Sequence, residues 1–364
     1  MAEQASAAVL GTYDDTSVLV TVVMEGEDKK GVNYFPLVVD YEERFYAAGK
    51  IIGSRFVRRE GRPSEEAILS GRIIDRTIRP LFDHRMRRPV QVVVTILSID
   101  EENDPDFIAL LTASTALAIS NVPWEGPVAG VKILKRKADN TLVMNPKNSD
   151  VAAGFELVTF VAGTEDRVNM IELEGMEAGE AGAAAAFTAG LTEIKKLTDW
   201  QRAIVREIGN KKIAVPLAEP HEEMKSKIHD FLSGKIEKAI YVKDKTEREE
   251  SVRALEAELV AFLTDAGAEA ESIDAAKHFF EEEIDGVVHK NVLESGKRPD
   301  LRGIDEVREL YGEVGLLKRT HGSALFMRGN TQSLALTTLG PPSAEQLVET
   351  IEFSGKKRFL LHYN

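Results

Sequence analysis

Two stretches of this 364-residue chain match when one is slid along the other by 315 positions. The slide lays Ala8, Val9 and Leu10 over Ser323, Ala324 and Leu325. It also lays Thr16 over Thr331 and Leu19 over Leu334. After a different spacing, the run 35–41 (FPLVVDY) finds a counterpart in 359–364 (FLLHYN). Between the two copies, residues 220–294 hold no strand pattern and are dense in Glu, Lys and Ala. A strand-rich pattern repeated around a helical interval predicts two related α+β domains joined by helices. The expected division is 1–212, 213–295 and 296–364. The 68 residues from Lys297 onward are too few to rebuild a domain that first took about 210. The expectation is therefore a chain that stops inside its second repeat.

Periodicity fills in the elements. Strands are expected at 17–23, 35–41 and 90–97, the last apolar on both faces and so buried. Asp104 and Pro105 open a helix that runs to Ile119, nearly all Ala and Leu, and Pro123 closes it. Strands follow at 128–134, 142–145, 155–161 and 168–173, then a helix over 177–208. The middle interval predicts helices at 222–232, 247–264 and 273–293, whose charges read as solvated faces.

The run 55–88, RFVRREGRPSEEAILSGRIIDRTIRPLFDHRMRR, holds ten arginines and no lysine in a chain of formal net charge −14. An acidic protein repels nucleic acid, so any binding must be local. The guanidinium fork grips phosphate oxygens through two parallel hydrogen bonds, where an ammonium acts as a point charge. Gly61 and Pro63 break the run into a loop, in which Phe56 offers an aromatic face beside Arg58 and Arg59. Such a loop, with Arg62, can stack a base and hold a single-strand backbone. Ion pairing with Glu60, Glu65 and Glu66 on an ordinary surface loop is the equal alternative. Ser64 then caps a helix whose first turn holds Glu65 and Glu66, and Pro80 stops it. Arg72, Arg76 and Arg79 fall on one face, with Asp75 placed to pair with Arg79. Leu69, Ile73, Ile74 and Ile78 supply the expected buried side.

Composition closes off several classes. The chain has no cysteine, so disulfides, thiolate chemistry and Cys-ligated zinc are excluded. The N-terminus lacks a basic region and an apolar core, so it does not read as a signal peptide. No apolar run reaches 18 residues, so no membrane span or membrane partner is expected; the lack of cysteine suits a reducing compartment, and the cytoplasm is the expected location. Phosphate-loop, dinucleotide-loop and zinc-helix motifs are absent. Gly355-Lys356-Lys357 reads as a turn. The acids of 100–106 read as a helix N-terminus rather than a calcium loop. His321 stands beside Arg319, near RNA or in a structural hydrogen bond, and His362 reads as structural.

AEQASAAVLGTYDDTSVLVTVV, FPLVVDYEERFYAAGK, RREGRPSE, RIIDRTIRPLF, ENDPD and RTHGSALFMRGNTQ, in that order, closely resemble the bacterial polynucleotide phosphorylase family. The resemblance covers almost the whole chain. It implies two ribonuclease PH-like cores (ribosomal protein S5 domain 2-like) joined by an all-helical domain. It implies a homotrimeric ring that degrades single-stranded RNA from the 3′ end with inorganic phosphate, releases nucleoside diphosphates and runs in reverse to polymerise them. That is polyribonucleotide nucleotidyltransferase activity in mRNA turnover, assisted by Mg2+, with RNA degradosome components as partners. Phe56, Arg58 and Arg59 match the family's channel loop, although Val57 replaces one of its aromatics and Arg55 reads as an insertion. Arg72, Arg76 and Arg79 match first-core arginines. Arg319 and Arg328 match basic positions near the second-core active site, the rest of which, with its metal-binding aspartates, the family carries beyond Asn364. Two readings follow: a piece of a phosphorolytic exoribonuclease, or a ring and channel piece that binds RNA without the chemistry.

Overall fold

The computed structural model describes residues 1–51 and 61–363. They fall into two compact units, Met1–Leu217 with Leu347–Lys357, and Ala218–Gln346 with Arg358–Asn364.

The first unit is α+β. A hairpin of β1 (Ala7–Tyr13) and β2 (Thr16–Met24) joins β3 (Leu37–Glu42) and β4 (Val90–Ser98) in a sheet of order β1-β2-β4-β3. The β3–β4 pair is parallel and the others antiparallel. Helix α1 (Glu65–Ile78) packs on β3, and α2 (Pro105–Ile119) on β1 and β2. A second sheet of order β6-β5-β7-β8 contains β5 (Ala129–Arg136), β6 (Leu142–Met144), β7 (Phe155–Gly163) and β8 (Val168–Gly175). A short helix α3 (Asn148–Ala152) precedes β7, and the long α4 (Glu180–Ile208) covers β5 and β7. Helix α2 is buried almost all round, as its Ala and Leu content demands, because it lies against β1, β2, β5 and α4. Alternate residues Val18, Val20 and Val22 are fully buried beneath it. At Gly11 the helix comes so close that an added Cβ would stand 1.9 Å from Thr112 Oγ1. Gly11→Val is expected to cost about 2 kcal/mol of stability through overpacking, read from denaturant unfolding.

The second unit begins with helices α5 (Glu222–Leu232), α6 (Ile236–Ile240), α7 (Lys245–Asp265) and α8 (Ala270–Ser295). They share a core of Ile228, Leu232, Ile236, Leu259, Leu263 and Phe280. Three strands follow, β9 (Leu310–Val314), β10 (Gly322–Arg328) and β11 (Thr331–Thr337), in the order β11-β10-β9.

The repeat is visible strand by strand. Ala7 pairs with Val22 and Tyr13 with Thr16; Gly322 pairs with Thr337 and Arg328 with Thr331. Every partner in the second hairpin lies 315 positions beyond its partner in the first. The volumes have changed sides. Val18, Val20 and Val22 become Ser333, Ala335 and Thr337, while Gly11 becomes Phe326.

The chain then adds a last hairpin, β12 (Gln346–Glu349) and β13 (Ser354–Lys357). Three expectations need correction here. Residues 355–357 lie in β13, and the turn spans 350–353. The run 359–363 forms no strand and is exposed; among the described residues no strand lies beside it to take up its backbone groups. Leu69 is 57% exposed. The buried arc of α1 is Ala67, Gly71, Ile73, Ile74, Thr77 and Ile78. At 3.6 residues per turn Leu69 stands only about 20° from Arg76 around the axis, on the opposite arc.

Candidate nucleic-acid interface

Helix α1 begins where the sequence says it should. Ser64 accepts a hydrogen bond from the Ala67 amide at 2.9 Å, and its hydroxyl donates to Glu43 at 2.7 Å. Burial raises the Glu43 carboxyl above its ordinary range, and the Ser64 hydroxyl partly offsets that rise. Glu65 and Glu66 occupy the positive end of the helix dipole.

The arginines of 55–88 divide by what they touch. Arg79 is spent on structure. Its Nε and Nη2 grip Asp75 at 3.0 and 2.5 Å, and Nη2 also donates to the Leu37 carbonyl at 3.1 Å. Arg85 is held by Asp83. Arg87 is buried and donates to the His84 and Met86 carbonyls, and Arg88 pairs with Asp28 at 3.1 Å. Arg72 and Arg76 differ. Both are exposed on α1, and among the described residues neither has an ion-pair partner. Ile68 and Leu69 are exposed on the same arc. Arg62 is exposed in the loop before the cap. Phe56, Arg58 and Arg59 lie outside the described residues. A cationic pair with open donors beside apolar side chains can bind the phosphates of a strand and cover part of its sugars or bases.

In the second unit Arg319 is exposed before β10 and Arg328 is exposed at its end. His321 Nδ1 accepts from the Leu339 amide at 2.8 Å. That bond places the neutral ring's proton on Nε2.

The acids of 100–106 are consumed locally. Asp100 accepts from the Glu102 and Asn103 amides, the Asn103 side chain and the Thr16 hydroxyl. Asp104 caps α2 and pairs with Lys132 at 2.5 Å. Asp106 accepts from the Tyr41 hydroxyl at 3.4 Å. Burial, then the neighbouring Asp104 charge, push its carboxyl up to about 8. Among the described residues no three His, Asp or Glu side chains are placed to share a metal ion, and Asp104 already holds an ammonium. These residues do not fit a resident Mg2+.

Sequence reasoning missed the hairpin of β12 and β13 as part of the first unit. Its signal is one apolar residue, Ile351, between polar neighbours, which no periodicity marks.

Comparison with known proteins places the chain. The family model described as "3' exoribonuclease family, domain 1" matches residues 1–123. The model described as "Polyribonucleotide nucleotidyltransferase, RNA binding domain" matches residues 223–303. Polyribonucleotide nucleotidyltransferase of Caldicellulosiruptor bescii is 43% identical over 363 residues, covering 99% of this chain and 50% of that protein. The Thermotoga neapolitana protein is 41% identical, covering 100% and 52%. The Bacillus licheniformis protein is 40% identical, covering 100% and 51%. Rice (Oryza sativa) Rrp46 superposes with a TM-score of 0.46 at 12% identity, over 56% of this chain and 90% of that one. The chain spans about half the length of the curated relatives it matches. The chain thus carries a 3' exoribonuclease family domain and a polyribonucleotide nucleotidyltransferase RNA-binding domain, and over its whole length it is 40–43% identical to polyribonucleotide nucleotidyltransferases.

Proposed function

We propose that the chain is part of a phosphate-dependent 3′-to-5′ exoribonuclease that shortens single-stranded RNA to nucleoside diphosphates and can run in reverse. The observation that carries this reading is the open pair Arg72 and Arg76 on the exposed arc of α1, in a chain of net charge −14. Phosphorolysis brings two anions together, free phosphate and a phosphodiester. Fixed cations and hydrogen-bond donors must surround them, because the repulsion is otherwise prohibitive. Arg72 and Arg76 hold phosphate oxygens, and Phe56, Arg58, Arg59 and Arg62 extend that grip along the strand. Arg79 acts through structure, fixing α1 to β3. Arg319 and Arg328 are the candidates for the second copy. The family's Mg2+, homotrimer, degradosome partners and cytoplasmic setting belong to the same reading. So does the division into a first core at 1–212, a helical domain at 213–295 and the start of a second core at 296–364.

Arg72→Ala with Arg76→Ala is expected to weaken oligo(A) binding about tenfold at low salt. The slope of log affinity against log salt should fall by about 1.4, because each lost single-strand phosphate contact removes about 0.7. An unchanged affinity and slope would mean that α1 presents an ordinary solvated face.

The second reading is a ring and channel piece that binds RNA without the chemistry. The chain by itself is expected to release no nucleoside diphosphate from poly(A) and phosphate; phosphate-dependent release by a chain extended through the second core, in a preparation free of host enzyme, supports the enzyme. Intact RNA binding without release by that longer chain supports the second reading.

A further inference from the structure

The hairpin of β12 and β13 lies far along the sequence, yet Leu347–Lys357 belongs to the first unit. Its turn is built on Thr350, whose amide donates to the Phe353 carbonyl at 2.8 Å. Thr350 Oγ1 accepts from the Phe353 amide at 2.9 Å. The turn drives Ile351 into the first unit's core, where it is 2% exposed. Two lysines fasten the hairpin on either side. Lys50 Nζ donates to the Ile351 carbonyl at 2.8 Å. Lys357 Nζ pairs with Glu65 Oε2 at 2.7 Å. Glu65 is the first residue of α1, the helix that presents Arg72 and Arg76.

We infer that this hairpin is a strap that sets the position of α1, with Lys50, Ile351 and Lys357 as positioning residues for RNA phosphate. The inference rests on the reading that Arg72 and Arg76 bind that phosphate. Ile351 supplies most of the fastening, since a buried isoleucine is worth far more than an exposed ion pair. Lys357 supplies direction. It meets the first turn of α1, where Glu65 and Glu66 gather negative charge, and fixes that turn against the strap. The segment that continues the second repeat thereby controls the aim of the first repeat's arginines.

The test uses the whole chain, a 5′-labelled oligo(A) and fixed low salt. Ile351→Ala is expected to weaken binding about fivefold while the unit still melts cooperatively. Lys357→Glu is expected to weaken it about threefold, since an exposed pair is involved. Glu65→Lys with Lys357→Glu should restore binding to within about twofold, because the pair is re-formed with its charges exchanged. In all three the salt slope should stay that of the parent, because no phosphate contact is removed. Hydrogen exchange gives a readout without RNA: the first turn of α1 should exchange faster in Ile351→Ala. Unaltered exchange there overturns the strap. So does a charge exchange that fails to restore binding, or a Lys357→Glu slope lowered by one phosphate contact, which would make Lys357 a direct ligand. If Arg72→Ala with Arg76→Ala leaves binding intact while Ile351→Ala still loosens α1, the strap stands and the RNA reading fails.

Discussion

Gln201→Ala is expected to lower the unfolding free energy of the first unit by about 3 kcal/mol, as a cavity plus unsatisfied polar groups. Gln201 sits on α4 with no exposed surface. Its Nε2 donates to the Val128 carbonyl at 2.8 Å, and its Oε1 accepts from the Thr115 hydroxyl at 3.3 Å. One amide thus ties α4 to α2 and to the entry of β5. Val128 loses its side-chain donor in the variant, whereas Thr115 keeps its bond to the Leu111 carbonyl. For a unit of this size the loss corresponds to a fall of about 6–12 °C in Tm. Gln201→Met separates the two contributions. It keeps most of the volume and removes the donor, and should cost about 1–3 kcal/mol. A calorimetric Tm within 2 °C of the parent, for a cooperative transition, would refute the assignment of that tie.

Asp106→Asn is expected to stabilise the chain at pH 8 by about 2–4 kcal/mol. Asp106 is half-buried at the start of α2. It faces Tyr41, Ser70, Asp104, Lys132 and Glu352. A carboxyl raised to about 8 stays protonated in the folded chain at pH values where the unfolded chain has released its proton. The folded state is therefore favoured below the unfolded pKa, and that contribution is lost as pH rises from about 4 to about 8. Asparagine presents a neutral group at every pH and can still accept from Tyr41. The parent's Tm should fall across that window more steeply than the variant's, and the two should diverge most near pH 8. Parallel curves from pH 5 to pH 9 would place the Asp106 carboxyl in its ordinary range.

The strands and helices of the first unit were legible because their causes are local. Alternation gives β2 and β4. Asp104-Pro105 gives the cap and first turn of α2, and the unbroken Ala and Leu of that helix announce burial on all sides. The open arginines Arg72 and Arg76 were legible from helical spacing, as was the Asp75–Arg79 pair four residues apart. Leu69 was misread because its spacing from Ile73 is equally good for either arc. Only the packing of Ala67 and Gly71 against β3 decides between them, and small residues carry no hydrophobic signal. Gln201 was invisible for a related reason, since a polar residue in an amphipathic helix reads as solvated until its buried partners are known. The same holds for Ile351, whose core lies about 300 residues earlier. The three closing arginines of 55–88 were counted as positive charge, although their partners Asp83, Asp28 and backbone carbonyls leave little of it for a ligand.

The two hairpins of identical register have a consequence for how this chain avoids misfolding. Duplicated segments in one polypeptide tend to exchange places during folding, because each offers the other's backbone partners. Here β10 and β11 could pair with β4 as far as hydrogen bonding goes. They could not accept α2. Phe326 would stand where even a methyl group at Gly11 comes within 1.9 Å of Thr112, and Ser333 and Ala335 would leave part of the space of two valines unfilled. Exchanging bulk between neighbouring strands keeps the backbone plan of both copies while making the second hairpin reject α2. The divergence of the repeats is thus a safeguard against swapped assembly within a single chain.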